Sequence, residues 1–97
     1  MSRGEAVRFT IPGTVLHQQI DAEIVLLNLA TEQYYGLDEV GSRVWQLLKE
    51  HGSVDPIVAT LIEEYDVAEV ALRNDIERLL GELVTVGLIE VKRDPQG

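Results

Sequence analysis

Cysteine is absent from the sequence. Disulfides, thiolate metal sites and cysteine nucleophiles are thereby excluded together. Histidine is scarce: His17 and His51 fall in different expected elements, so the ligands of a zinc site at helix or loop spacing are lacking. Bases are few as well, with 8 Lys and Arg against 17 Asp and Glu and a net charge of -9. Between Asp38 and Val91 the only ones are Arg43, Lys49, Arg73 and Arg78. Such a surface repels a phosphate backbone, which is held through clustered Lys and Arg. It suits a partner carrying some positive charge. No run approaches the ~18 uncharged apolar residues of a membrane span. The opening MSRGEAVRF has no apolar signal region. No membrane association is expected, and the cytoplasm is the expected location.

Catalytic patterns are missing too. Gly36, Gly41, Gly81 and Gly87 make no dinucleotide or phosphate-loop motif, and Ser2, Ser42 and Ser53 have no nucleophile motif around them. Glu63 and Glu64, adjacent on a helix, point about 100° apart and read as a solvated face, not a catalytic couple. The chain is therefore not expected to be an enzyme. Neither catalytic residues, nor a metal, nor a cofactor is expected.

What is present is apolar patterning. Hydrophobic residues make up 45% of the 97. That suffices for one globular domain over 1–97, with an ordered core over about 6–91. The first third alternates as strands do: AVRFTI before Pro12-Gly13, then TVLHQQI, then EIVLLNL after a two-residue turn at Asp21-Ala22, then the short QYYGL. The economical reading is a small antiparallel meander ending near 33–37.

Helical patterns follow. Asp38 is an N-cap for EVGSRVWQLLKEH, with Val40, Val44, Leu47 and Leu48 on one stripe, Trp45 in the core and Gly52 as the stop. A second helix opens at Asp55-Pro56, with Asp55 as N-cap and proline in the first turn, and buries Val58, Leu61, Ile62 and Tyr65. The third runs from about 67–69 to Val86, with an apolar stripe of Leu72, Ile76, Leu79 and Leu83. Gly87 ends it, Leu88-Ile89 folds back, and the tail KRDPQG is expected to fray. His17 and His51 should face solvent, and Arg73 and Arg78 should pair with Glu77 and Glu82. The fold class is thus α+β: an N-terminal three-stranded antiparallel sheet followed by three helices, winged helix-turn-helix-like.

Within that frame, LLNLATEQYYGLDEVGSRVWQLL resembles the PqqD-like family of small peptide chaperones, also called RiPP recognition elements. The likeness is greatest to the discrete leader-binding subunits of lasso-peptide biosynthesis. It continues through EEYDV and LRNDIERLLGELVTVGLIEV, covering about residues 15–91. Ala68 departs from the Ser or Thr cap expected for the third helix, and Asp66 is the alternative cap.

The resemblance implies binding of the leader segment of a ribosomally made precursor peptide, and its delivery to a leader peptidase and a cyclase on separate chains. The leader would add a strand to the sheet edge beside the third helix. An edge strand leaves backbone groups unpaired, and QYYGL has neither Lys nor Pro to discourage pairing. The expected binding residues are Gln33, Tyr34, Tyr35, Gly36 and Leu37 on the strand, with Leu72, Ile76 and Leu79 as the groove wall. Asp75 matches an acidic position expected in the family's third helix. The two tyrosines must point to opposite faces, one of them to the core, and either is able to border the groove. The alternatives are a PqqD-like partner of a radical enzyme in another peptide-modification pathway, a winged-helix nucleic-acid binder, and a self-pairing scaffold.

Overall fold

A computed structural model describes residues 6–94. The chain order is β1 (Ala6–Thr10), β2 (Val15–Ile20), β3 (Glu23–Asn28), β4 (Gln33–Leu37), α1 (Glu39–His51), α2 (Val54–Glu64), α3 (Glu69–Thr85) and β5 (Glu90–Asp94). This corrects the expectation of a single three-stranded sheet placed ahead of the helices. Among the described residues there are two sheets: the meander β2-β3-β4, and a separate ribbon in which β1 pairs with β5. The ribbon is antiparallel and sets Phe9 opposite Val91, so the segment after α3 returns to the N-terminal strand. Lys92 to Asp94, expected to fray, belong to β5, and residues 95–97 lie outside the described residues. The ribbon is tied to the end of α1 by the Phe9 amide, which donates to the Gly52 carbonyl at 2.8 Å.

Local chemistry accounts for most of the boundaries. Asp21 takes a left-handed φ of 57°, completing the two-residue turn between β2 and β3. Asp38 caps α1, its Oδ1 accepting from the Gly41 amide at 2.8 Å. Gly52, at φ 72°, stops that helix in the left-handed conformation. Gly87, at φ 81°, ends α3, and the Leu88 amide turns back onto the Leu83 carbonyl at 2.8 Å. Leu88 and Ile89 are then buried, as the fold-back predicts. The α2 cap differs from expectation: Ser53, not Asp55, holds the N-cap position, without a side-chain hydrogen bond. Ala68 occupies the α3 cap position, likewise without one, so Asp66 does not serve.

The core lies between the meander and the helices. Ile24, Leu26 and Leu37 from the sheet meet Val44, Trp45, Leu47 and Leu48 of α1, Ile57, Val58 and Leu61 of α2, and the inner face of α3. On α3 the buried residues are Leu72, Ile76, Leu80 and Leu83. Leu80, not Leu79, completes the core stripe, and Leu79 sits half-buried at its margin. Each fully buried leucine contributes about 1.5–3 kcal/mol of transfer free energy. Trp45 is core as expected, and its indole N–H has no hydrogen-bond partner among the described residues.

One buried hydroxyl locks the sheet to the helices. Ser42 accepts from the Ile24 amide at 2.8 Å and donates to the Leu37 carbonyl at 3.2 Å. It bridges the end of the β3–β4 ladder from within α1. Asn28 does similar service at the other end of β3. Its Nδ2 donates to the Gly87 carbonyl at 3.1 Å, and its Oδ1 accepts from the Ala30 amide at 2.9 Å.

Candidate functional site

The direction of each backbone group on β4 follows from the register. The turn at Asp21-Ala22 makes Ile20 and Glu23 the pair that closes the β2–β3 hairpin. Hydrogen-bonded pairs alternate along an antiparallel ladder. Odd-numbered β3 residues therefore bond to β2, and the Leu29 amide, donating to the Thr14 carbonyl at 2.8 Å, continues that series. Ile24, Leu26 and Asn28 consequently aim at β4, where they oppose Leu37, Tyr35 and Gln33. The Ser42 hydroxyl between Ile24 and Leu37 agrees with this parity. By elimination, Tyr34 and Gly36 turn their N–H and C=O outward. Among the described residues β4 pairs only with β3, so that outer edge is open. The domain's N-terminal strand is engaged with β5 and does not fill it.

The side chains alternate with the same parity. Leu37 is buried and Tyr35 half-buried, both on the helix side, whereas Tyr34 is 73% exposed. The tyrosine that borders the helices is thus Tyr35. Neither ring is plain core, because Tyr35 donates its phenolic hydrogen to Glu82 Oε1 at 2.8 Å. That hydrogen bond to a carboxylate raises the Tyr35 pKa above the ordinary 10.0, with burial and the Glu82 charge adding to the effect.

Between β4 and α3 lies an open groove of about 550 Å³. Tyr35, Gly36 and Leu37 form one side, and Leu72, Asp75, Ile76 and Leu79 form the other. Seven of the nine expected site residues therefore converge on a single surface. Gln33 and Tyr34 stand apart, on a smaller depression of about 320 Å³ with Asn28, Val86 and Leu88. A Cβ built at Gly36 would meet nothing within 4 Å, so the strand is unobstructed there.

Six groove residues were missed in the sequence: Asp38, Val40, Gly41 and Val44 at the start of α1, and Arg78 and Glu82 on α3. Val40 was assigned to the buried stripe of α1 but is 43% exposed. Glu82 lies seven residues beyond Asp75, two turns along the same face, which is the spacing that would have found it. The expected Arg pairs are also different. Arg73 reaches Asp55 at 2.9 Å and Glu69 at 3.7 Å, and Arg78 pairs with Asp75 at 2.9 Å. Glu64, read as solvated, is gripped by Arg43 at 2.6 Å. Among the described residues no three of His, Asp and Glu converge as metal ligands, and no helix is long and apolar enough to cross a membrane.

The profile of the family described as Coenzyme PQQ synthesis protein D (PqqD) matches residues 23–89. Two solved structures are similar. One is TbiB1 in complex with the TbiA(beta) leader peptide, 40% identical, with a TM-score of 0.80, the match covering 84% of this chain and 94% of that one. The other is lasso peptide synthetase B1 complexed with the leader peptide, at 24% identity and TM-score 0.78, covering 84% and 96%. The second likeness is one of fold. No curated protein matches the chain.

Proposed function

The chain belongs to the PqqD family, and from that premise we propose that it is a leader-peptide-binding protein of lasso-peptide biosynthesis. It takes up the leader of a ribosomally made precursor as an added strand on β4. It then delivers the peptide to a leader peptidase and a cyclase on separate chains. Its contribution is recognition and raised effective concentration at those enzymes, with no chemical step of its own.

The observation that carries this reading is the open β4 edge beside the β4–α3 groove, in a chain 40% identical to a protein solved with a leader peptide. The outward N–H and C=O groups of Tyr34 and Gly36 supply backbone pairing, and the groove supplies side-chain selection. A peptide residue opposite Leu37 or Tyr35 shares their face of the sheet and so points toward α3. Leu72, Ile76 and Leu79 give that side chain an apolar seat.

The family name points also to coenzyme PQQ synthesis, but the likeness to two proteins solved with leader peptides, one of them a lasso peptide synthetase B1, favours the lasso pathway. Nucleic acid is disfavoured by charge, since Arg73 and Arg78 of α3 are both engaged by acids.

Fluorescence anisotropy of labelled TbiA(beta) leader peptide tests the reading. Leu72 is too buried for a clean variant, so the groove is probed by Leu79→Asp at the half-buried margin. Saturable binding by the wild type, and its loss in folded Leu79→Asp, are expected. Unchanged binding by that variant would place the peptide elsewhere.

A further inference from the structure

The charged groups of the groove are not equivalent. Asp75 is neutralised by Arg78 at 2.9 Å. Asp38 is the N-cap of α1, where the Gly41 amide at 2.8 Å and the positive end of the helix dipole offset its charge. Glu82 is bonded to a neutral partner, the Tyr35 hydroxyl, through one carboxylate oxygen at 2.8 Å. The other Lys and Arg side chains of the helices point elsewhere, Arg43 to Glu64, Arg73 to Asp55 and Lys49 to His17. Glu82 is therefore the groove's uncompensated charge among the described residues. Tyr35 also holds the carboxylate at a fixed place above β4.

A strand laid on β4 brings the residue opposite Tyr35 onto the same face, directly beside Glu82. That residue lies two positions from the one opposite Leu37, which enters the apolar part of the groove. The count is the same whichever way the peptide runs. Docking strips water from the carboxylate. An apolar residue there leaves the charge desolvated and unpaired, and an acidic one adds repulsion. A lysine or arginine answers it.

Building on the strand-addition reading, we infer that Glu82, positioned by Tyr35, selects leaders with a basic residue two positions from an aliphatic or aromatic anchor. Tyr35 is the positioning residue and Glu82 the specificity determinant. The net charge of -9 assists encounter, but the selection is local.

The test is a display selection of random dodecapeptides on immobilised wild type, Glu82→Lys and Glu77→Lys. Glu77 is exposed, lies off the groove and undergoes the same charge change. Wild type and Glu77→Lys should enrich Lys or Arg two positions from the anchor by roughly five- to tenfold. Glu82→Lys should lose that enrichment or exchange it for Asp or Glu. If Glu82→Lys does not fold, Glu82→Gln should flatten the preference instead. The same basic preference in the Glu82 variant, or no basic preference in the wild type, overturns the inference and leaves strand addition standing. Failure of every protein to enrich any peptide overturns strand addition itself, and the inference with it.

Discussion

Tyr35 and Glu82, 47 residues apart in the chain, are joined across the β4–α3 groove by a 2.8 Å hydrogen bond. The bond ties the open sheet edge to the helix that walls the groove, and it has a titration signature. The folded protein holds the Tyr35 proton more tightly than an ordinary phenol with pKa 10.0. The stabilisation is thus complete below that value and disappears as pH rises through the folded pKa. An ultraviolet titration should show one tyrosine ionising late. In Glu82→Gln that late component should move down toward the ordinary 10.0, and an unchanged curve would mean that the bond is not formed in solution.

Ser42 offers a test of how the sheet is anchored. Its hydroxyl is buried and serves both the Ile24 amide and the Leu37 carbonyl. Ser42→Ala leaves those two groups without a partner, at a cost of about 1–3 kcal/mol. Urea denaturation should register that loss. A change within experimental error would show that the strand end relaxes to find water.

Gly36→Pro separates the edge from the fold. The Gly36 amide faces outward, so a proline there removes a donor that the β3–β4 ladder does not use. Folding stability should change by no more than about 1 kcal/mol. Binding of TbiA(beta) leader peptide should weaken by at least roughly tenfold. A folded variant with wild-type affinity would mean that backbone pairing at this residue is not used.

The Arg43–Glu64 pair predicts a modest acid-side effect. Glu64 is held below its ordinary pKa of 4.5, chiefly by its hydrogen bonds to Arg43. Its contribution is present above 4.5 and is lost as pH falls through the lower folded value. The pair is exposed, so the effect is small. Glu64→Gln should flatten the fall of Tm with pH below that point, and parallel curves for the two proteins would contradict it.

Much of this was legible where structure is decided by neighbours in the chain. The Asp21-Ala22 turn, the Asp38 cap and the Gly52 and Gly87 stops follow from local chemistry, and the structure has all of them. The β4 segment, the three helices and most of the groove wall also follow from periodicity and the family pattern. What escaped depends on distant partners. Nothing in Lys92 to Asp94 signals a strand, because the pairing of Glu90–Asp94 with Ala6–Thr10 is set by where α3 delivers the chain. Leu79 and Leu80 flank the same apolar stripe, and only the position of β4 decides which is core and which lines the groove. The choice between Tyr34 and Tyr35 needs the ladder parity. The partners of Arg73 and Arg78 need the packing of α2 on α3 and the choice of rotamer, which i,i+4 spacing does not supply.

Residue-resolved amide exchange with and without TbiA(beta) leader peptide tests the open edge most directly. In the free protein the Tyr34 and Gly36 amides should exchange fast, and the peptide should slow both together with the groove face of α3. Continued fast exchange at these two amides in the saturated complex would contradict the account. So would protection arising instead at His17 and Gln19, on the opposite edge of the meander.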